Sequence, residues 1–406
     1  MQRWCVAAIL VTACASPSSA IPVGDPPPAD PPPASDPQPV PIVLDGLQPG
    51  WLVTTSHLTT DGPAEATQVS DGSTITLTGT ATDVVVATVT DGGGSLVATR
   101  AMGAPCTLVS SRRLDVPAQY ATIQDAIDAA APGDTVKVAP GTYSESVRLR
   151  PGVCLIGSGA RTTTLDAGGQ TRTLVDLTNA PGSVVAGFTL RGVSSIAGCA
   201  SSDVFTCSGD WYRAAVYLGG ETWDDPTRYA PPLIVSNVFE NNEIAMMLYW
   251  HGVSIVRNNV FVANRTAFVA NHFQDKAFIA NNVFIDNSEL AIGNQAAYLD
   301  IIDNVIAGSP LGIRFEYIQT GKIRCNVFYD NGANQSDDNV APPRFTIGSD
   351  GNVEIDPHFV SASDFHLDPS SPAVDAGCDR NHAFEPDGTP IDIGVYGGPL
   401  ARWVDL

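Results

Sequence analysis

Short runs of β-branched and aromatic residues, each opened by an asparagine, recur down the second half of the chain at an almost constant interval. They are Asn237-Val238-Phe239, Asn259-Val260-Phe261, Asn282-Val283-Phe284, Asn304-Val305-Ile306 and Asn326-Val327-Phe328, separated by 22, 23, 22 and 22 residues. A self-similar period of that length marks a stack of units, each too small to bury its own apolar face. Ile234, Val256, Ile279, Ile301 and Ile323 fall one above another in this alignment, as do Val238, Val260, Val283, Val305 and Val327. Both rows are expected in the core. Each unit reads as an apolar run, an Asn, a second apolar run, another polar turn and a third run. Three short strands per turn, joined by tight bends, predict an all-β fold: a right-handed parallel β-helix with coils of about 22 residues. Helical repeats would need a 3.6-residue periodicity and good helix formers, whereas these runs are rich in Val, Ile, Phe and Asn. Leucine-rich repeats need leucines at fixed offsets, which these coils lack.

The repeated Asn is expected to take a left-handed backbone conformation at the first bend, which Asn tolerates better than most residues. A second row, Asn242, Asn264, Asn287 and Asn331 with Ser309 substituting, marks the next bend. Amides stacked coil on coil can hydrogen-bond along the stack, as in cross-β assemblies, so both rows are read as structural. The third run of each coil is where chemistry is sought. Strand alternation directs Met246, Phe268 and Ile313 inward. It places Tyr249, Asn271, Asn294 and Glu316 in one outward row, with Arg314 and His251 flanking it. Coils rise by about 4.8 Å, so these residues make a polar, partly aromatic strip along the stack.

Two insertions break the rhythm, one on each side of the strand at 214–218. Residues 194–213 hold Cys199, Cys207, Trp211 and Tyr212; residues 219–232 hold Glu221, Trp223, Asp224, Asp225, Arg228 and Tyr229. Long excursions on one face of a repeat stack are where function concentrates. Sugar rings stack on aromatic faces, so the carbohydrate-binding candidates are Trp211, Trp223, Tyr229, Tyr249, Asn271, Asn294 and Tyr317. The competing reading makes Trp211 and Trp223 plugs over apolar surface. For catalysis the candidates are His251, His272, Arg314 and Glu316, with Arg314 keeping Glu316 ionised. A lone carboxylate argues against ordinary glycoside hydrolysis, which needs a pair. No cofactor is expected; the one metal option is calcium at Glu221, Asp224 and Asp225.

The chain divides by composition. Residues 1–20 read as an export signal whose apolar run is too short for a permanent span. Val11-Thr12-Ala13-Cys14 resembles a bacterial lipobox, which makes Cys14 the expected lipidation site; the alternative is cleavage after Ser18-Ser19-Ala20 and free secretion. In residues 21–41 half of the stretch from Pro22 to Pro41 is proline, an extended spacer reaching ~60 Å at about 3.1 Å per residue. Residues 42–110 read as a small antiparallel β-module with strands near 73–78 and 84–90. Residues 111–406 hold the β-helix. Across the 406 residues, 43 acids against 21 bases give a net charge of −22. That surface repels nucleic acid and anionic membrane, and anionic polysaccharides too unless a divalent cation or local basic patch intervenes. Beyond Cys5 and Cys14, an even set of cysteines in an exported chain predicts disulfides. Cys199–Cys207 is the natural local bridge; Cys106–Cys154 and Cys325–Cys378 complete one of many possible pairings.

Two further stretches carry a resemblance. Tyr120-Ala-Thr-Ile-Gln-Asp-Ala-Ile, then Gly133-Asp-Thr-Val-Lys-Val-Ala-Pro-Gly-Thr-Tyr, then Leu155-Ile-Gly-Ser-Gly resemble the N-terminal cap and first coil of the pectin-lyase-like superfamily. The stretch from Ala121 to Ala130 predicts a capping helix with Ile123, Ala126, Ile127 and Ala130 on one face. Asp356-Pro-His-Phe-Val, Asp364-Phe-His-Leu, Ser371-Pro-Ala-Val-Asp-Ala-Gly and Asp387-Gly-Thr-Pro-Ile-Asp-Ile-Gly-Val-Tyr resemble the closing segment of exported bacterial β-helix proteins. The resemblance covers Leu114 to Tyr396. It implies a sugar-binding groove on the third strand and its loops, but not an activity, because the superfamily holds lyases, esterases, hydrolases, epimerases and adhesins. The pectinesterase, polygalacturonase and pectate-lyase motifs are missing, and Lys322-Ile323-Arg324 reverses the expected Arg-Ile-Lys. Asp356-Pro357-His358 matches a mannuronan-epimerase triplet but lies in the closing segment. The expectation is therefore an exported, surface-anchored monomer whose partner is a polysaccharide or glycan and whose only membrane contact is a lipid anchor. A polysaccharide lyase or epimerase is the first alternative, and a non-catalytic structural or adhesive envelope protein the second.

Overall fold

The computed structural model describes residues 42–44, 49–50, 52–59, 62–70, 75–77, 84–90, 96–101, 112–194, 213–219, 231–250, 252–272, 275–317, 321–337, 343–378 and 389–398. Residues 42–101 contribute antiparallel strands. Leu52–Thr59 pairs with Gly62–Val69 on one side and with Val84–Thr90 on the other, and Leu96–Ala101 closes that sheet. Ile42–Leu44 pairs with Ile75–Leu77.

From Arg113 onward the chain winds through three parallel sheets in rotation, so consecutive strands in a sheet come from consecutive coils. The first sheet has nine strands, from Arg113–Val116 to Ile323–Arg324. The second also has nine, from Gly141–Tyr143 to Val353–Glu354, and the third has eight, from Val147–Arg148 to Ala333–Asp337. Nine strands at about 4.8 Å make a stack roughly 40 Å long. The expected alignment holds residue by residue: Ile234, Val256, Ile279, Ile301 and Ile323 pair in sequence, as do Val238, Val260, Val283, Val305 and Val327.

The two rows do not share an environment, however. The isoleucine row lines the interior with the ring stack Phe239, Phe261 and Phe284, whose centroids are 4.6 Å apart and whose planes are nearly parallel. The valine row faces outward, because it alternates with those phenylalanines on the same strands. It is buried by the closing segment, where Ala373, Ile393 and Val395 pack onto Val260, Val283, Val305 and Val327.

The left-handed corners are also displaced by one residue from expectation. Ser236, Asn258, Asn281, Asp303 and Cys325 take the positive φ at the first bend, and Asn241, Ala263, Asp286, Gly308 and Asp330 at the second. Each repeated Asn follows its corner with the side chain turned inward, where the amide satisfies the carbonyls that the bend leaves unpaired. The Nδ2 of Asn282, for example, donates to Val256 O at 2.9 Å, Ala280 O at 3.0 Å and Asn304 Oδ1 at 3.0 Å. The ladder runs unbroken through Asn237, Asn259, Asn282, Asn304 and Asn326 to Asn352.

The N-terminal end is plugged by the helix Ile123–Ala129, with Ile123, Ala126 and Ile127 buried in the core. Thr122 caps it by accepting from Asp125 N at 3.1 Å, and the Glu145 carboxylate takes the Ile123 and Gln124 amides. An open stack would otherwise end on exposed apolar side chains.

The closing segment grips the corner row. Asn258 donates to Val395 O and Gly397 O at 2.8 Å each, Asn281 to Asp392 O, and Cys378 N to Asp303 Oδ1 at 2.8 Å. Cys325 is joined to Cys378 by a disulfide, one of the bridges considered above. Cys154 is buried; its considered partner Cys106, and Cys199 and Cys207, lie outside the described residues.

Candidate functional site

The outer face of the third sheet carries a groove of about 940 Å³ toward its N-terminal end. Its floor follows from register. Arg148, Asp176, Tyr217 and Met247 are direct neighbours on successive strands, and Gly219 lies beside Tyr249. Their partners one residue back, Val147, Val175, Val216 and Met246, point into the core. A Cβ on Gly219 would come within 2.4 Å of the Tyr217 hydroxyl, so the absence of a side chain lets that ring lie flat along the strand. Trp250 and Tyr249 form the far wall, their rings 6.0 Å apart and edge-on. Gln124 of the capping helix closes the near end and accepts from Arg148 N at 2.8 Å.

Charge in the groove differs from that of the whole chain. Among the described lining residues, Arg148, Arg172 and Arg213 face one carboxylate, Asp176. Arg148 and Asp176 are 3.5 Å apart and both remain accessible. Arg172 is held over the rim by two backbone carbonyls, Asp166 O at 2.9 Å and Ser144 O at 3.2 Å. Below it, burial opposes ionisation of Asp166, but the Gly168 amide and the Arg191 guanidinium outweigh it and hold that carboxyl below its ordinary value.

The expected strip forms only in part. Tyr249 lines the groove, and Asn271 follows it one coil later, 7 % exposed. Asn294 does not continue the row: it pairs with Ala270 and Phe315, is 1 % exposed, and clasps the next bend by bonds to and from Ala297 at 3.0 and 2.7 Å. The cause is one extra residue between Ile285 and Leu290, relative to Val262 and Thr266, which shifts the third strand by one. Gln295 takes the place expected for Asn294, since Gln295 N bonds Ala270 O and Glu316 N bonds Asn294 O.

Glu316 is not joined to Arg314. It sits just past the strand Leu311–Phe315, and its Oε2 is buried without a hydrogen-bond partner. Tyr317 is 52 % exposed, and His272 stacks on Trp250 at 4.8 Å with its pKa lowered by burial. Trp211, Trp223, Tyr229, His251, Glu221, Asp224, Asp225 and Cys14 lie outside the described residues. His358 sits at a left-handed corner with its amide bonded to Asp356 Oδ1 at 2.8 Å, a turn rather than a catalytic pair.

Arg148 and Asp176 escaped the repeat alignment, because the early coils carry long excursions and lack the Asn anchors; Trp250 directly follows the aligned Tyr249 but is not part of the expected row. One signal was present: Val147, Val175 and Val216 are each followed by a polar or aromatic residue.

The parallel registers of all three sheets and the helical plug decide the architecture. This is a right-handed parallel β-helix, the architecture that the pectin-lyase-like resemblance implies. Residues 171–346 match a family model described as NosD, periplasmic copper-binding protein. No curated protein matches the chain. Solved structures that resemble it include pectin methylesterase PemA from Erwinia chrysanthemi, 14% identical over 55% of this chain and 80% of that one, TM-score 0.27. Another is the catalytic unit of the GH87 α-1,3-glucanase of Streptomyces thermodiastaticus, 14% identical over 74% and 62%, TM-score 0.30. A third is the family 28 exopolygalacturonase of Yersinia enterocolitica, 12% identical over 73% and 78%, TM-score 0.25.

Copper demands soft or imidazole ligands in convergence. Among the described residues the only grouping of three potential ligands is Asp303, Cys325 and Cys378, and the disulfide removes both thiolates. That set does not fit copper.

Proposed function

We propose that the protein is an exported β-helix that binds polysaccharide in the groove of the third sheet. The observation that carries this reading is the groove itself. It combines the half-buried ring of Tyr249 and the exposed ring of Trp250 with guanidinium, carboxylate, amide and hydroxyl groups on a parallel sheet. Rings offer the apolar faces of sugars a surface, and the polar groups offer hydroxyls bidentate partners. The periplasmic description of the matched family supports export, and the lipobox-like Val11-Thr12-Ala13-Cys14 supports a lipid anchor at Cys14. The exposed Tyr317 extends the proposed surface beyond the groove, and Trp211, Trp223 and Tyr229 belong to the insertions that border its central strand in the sequence.

The lining arginines remove the objection that net charge raised against acidic polymers, so both neutral and acidic glycans belong in the test. Asp176 is the single carboxylate of the described lining, which keeps paired-carboxylate hydrolysis out of the reading. A glycan array probed with residues 42–406, followed by titration calorimetry on any hit, tests the proposal. Retention of a sugar that is lost in Tyr249→Ala, with an unchanged melting curve, is the expected result. An empty array refutes it in favour of a structural envelope role.

A further inference from the structure

We propose that Trp250 is the stacking platform of this groove, a ring presented to one face of a pyranose unit; the inference rests on the glycan-binding reading above. Trp250 takes a left-handed backbone conformation with φ +57°. Asparagine and glycine reach that region cheaply, whereas a bulky side chain there is a true outlier and carries strain.

The architecture explains why the corner has this shape. Counting from the register Asp176, Tyr217 and Met247, the equivalent corner two coils earlier is Asn179, which has φ +55°. The bend after the third strand is left-handed at these two coils, whereas His272, one coil after Trp250, does not take that conformation. At Asn179 it is filled by a side chain that suits it, and at Trp250 by one that does not.

Packing accounts for only part of the choice. The ring is 40 % exposed, one of few large apolar side chains left open among the described residues. It is held in orientation, with His272 stacked against it at 4.8 Å and 17° and Tyr249 edge-on at 6.0 Å and 70°. A rigidly backed aromatic ring at the wall of a polar groove matches the axial C–H face of a pyranose, while the Arg148–Asp176 pair faces its hydroxyls. A strained residue that leaves two fifths of its surface open at a groove wall is accounted for in part by what it presents.

The opposition between strain and recognition supplies the test. In Trp250→Asn the corner receives the residue that Asn179 already uses. The dissociation constant for the best array glycan, measured by calorimetry, should rise at least about tenfold, equivalent to ~1.4 kcal/mol. The melting temperature should stay level or rise by about 2 °C. Trp250→Phe should keep affinity within about threefold. Trp250→Asn binding as tightly as the parent overturns the platform while leaving the groove reading intact. A loss of binding that comes only with a melting point several degrees lower also overturns it, because Trp250 is then a packing residue. A parent protein that retains no glycan defeats both.

Discussion

Replacing Asn282 by Ala tests whether the amide ladder holds the coils together. The Asn282 side chain is fully buried and makes five hydrogen bonds. Its Oδ1 accepts from Asn259 N at 3.0 Å and Asn259 Nδ2 at 3.1 Å, and its Nδ2 donates to Val256 O, Ala280 O and Asn304 Oδ1. Alanine strands the buried Asn259 amide, which costs ~1–3 kcal/mol. The Val256 and Ala280 carbonyls lose one donor each, at about 1 kcal/mol apiece net. Asn259 Nδ2 keeps Ile234 O and Arg257 O, so it adds little. The sum is about 3–5 kcal/mol, or a fall of roughly 5–8 °C in melting temperature for a domain of this size. Asn331→Ala, at the half-exposed end of the second row, should cost less, about 1–2 kcal/mol, because water can replace the partner of its Nδ2 although the Ser309 amide loses its acceptor. Thermal and urea unfolding followed by circular dichroism measure both. If Asn282→Ala lowers stability by no more than Asn331→Ala, the ladder is not what secures the stack.

Removing the bridge by Cys325→Ser with Cys378→Ser releases a loop of 53 residues, worth about 4 kcal/mol in the chain-entropy picture, and should lower the melting temperature; an unchanged melt would contradict it. Val283→Asp puts a charge under the closing segment, so limited proteolysis should cut within residues 371–398 while the solenoid's β signal persists. Simultaneous loss of both would show that the segment and stack unfold together. Asp134 and Asp166 are each opposed by burial, yet hydrogen bonds and arginines, Arg112 and Arg191 respectively, lower their pKa. Their contribution is complete above the ordinary carboxylate value and disappears as pH falls through the lowered folded values, so the urea midpoint should drop below about pH 4. Asp166→Asn should flatten part of that slope.

By itself the sequence determined the architecture, because a coil of constant length has one way to align identical residues with their neighbours. The asparagine ladder, the inward isoleucine row and the helical plug followed from period and patterning, whereas the Cys325–Cys378 bridge was one of many pairings that the sequence left open. What only tertiary structure decided was how each face was used. The valine row looks like core in one dimension, yet it faces outward and is buried by a segment contributed from the far end of the chain. The left-handed corners fall one residue before the asparagines, because the amide must turn inward to reach carbonyls that the bend leaves unpaired. A single extra residue before Leu290 moved Asn294 off the surface strip, and no pattern in the apolar positions announces such a shift. The groove draws on coils where the repeat is broken, so Arg148, Asp176 and Tyr217 met the regular coil of Tyr249 and Trp250 only through hydrogen-bonded register across gaps of different length. Periodicity identifies what stacks; the irregular spacing between strands decides what meets.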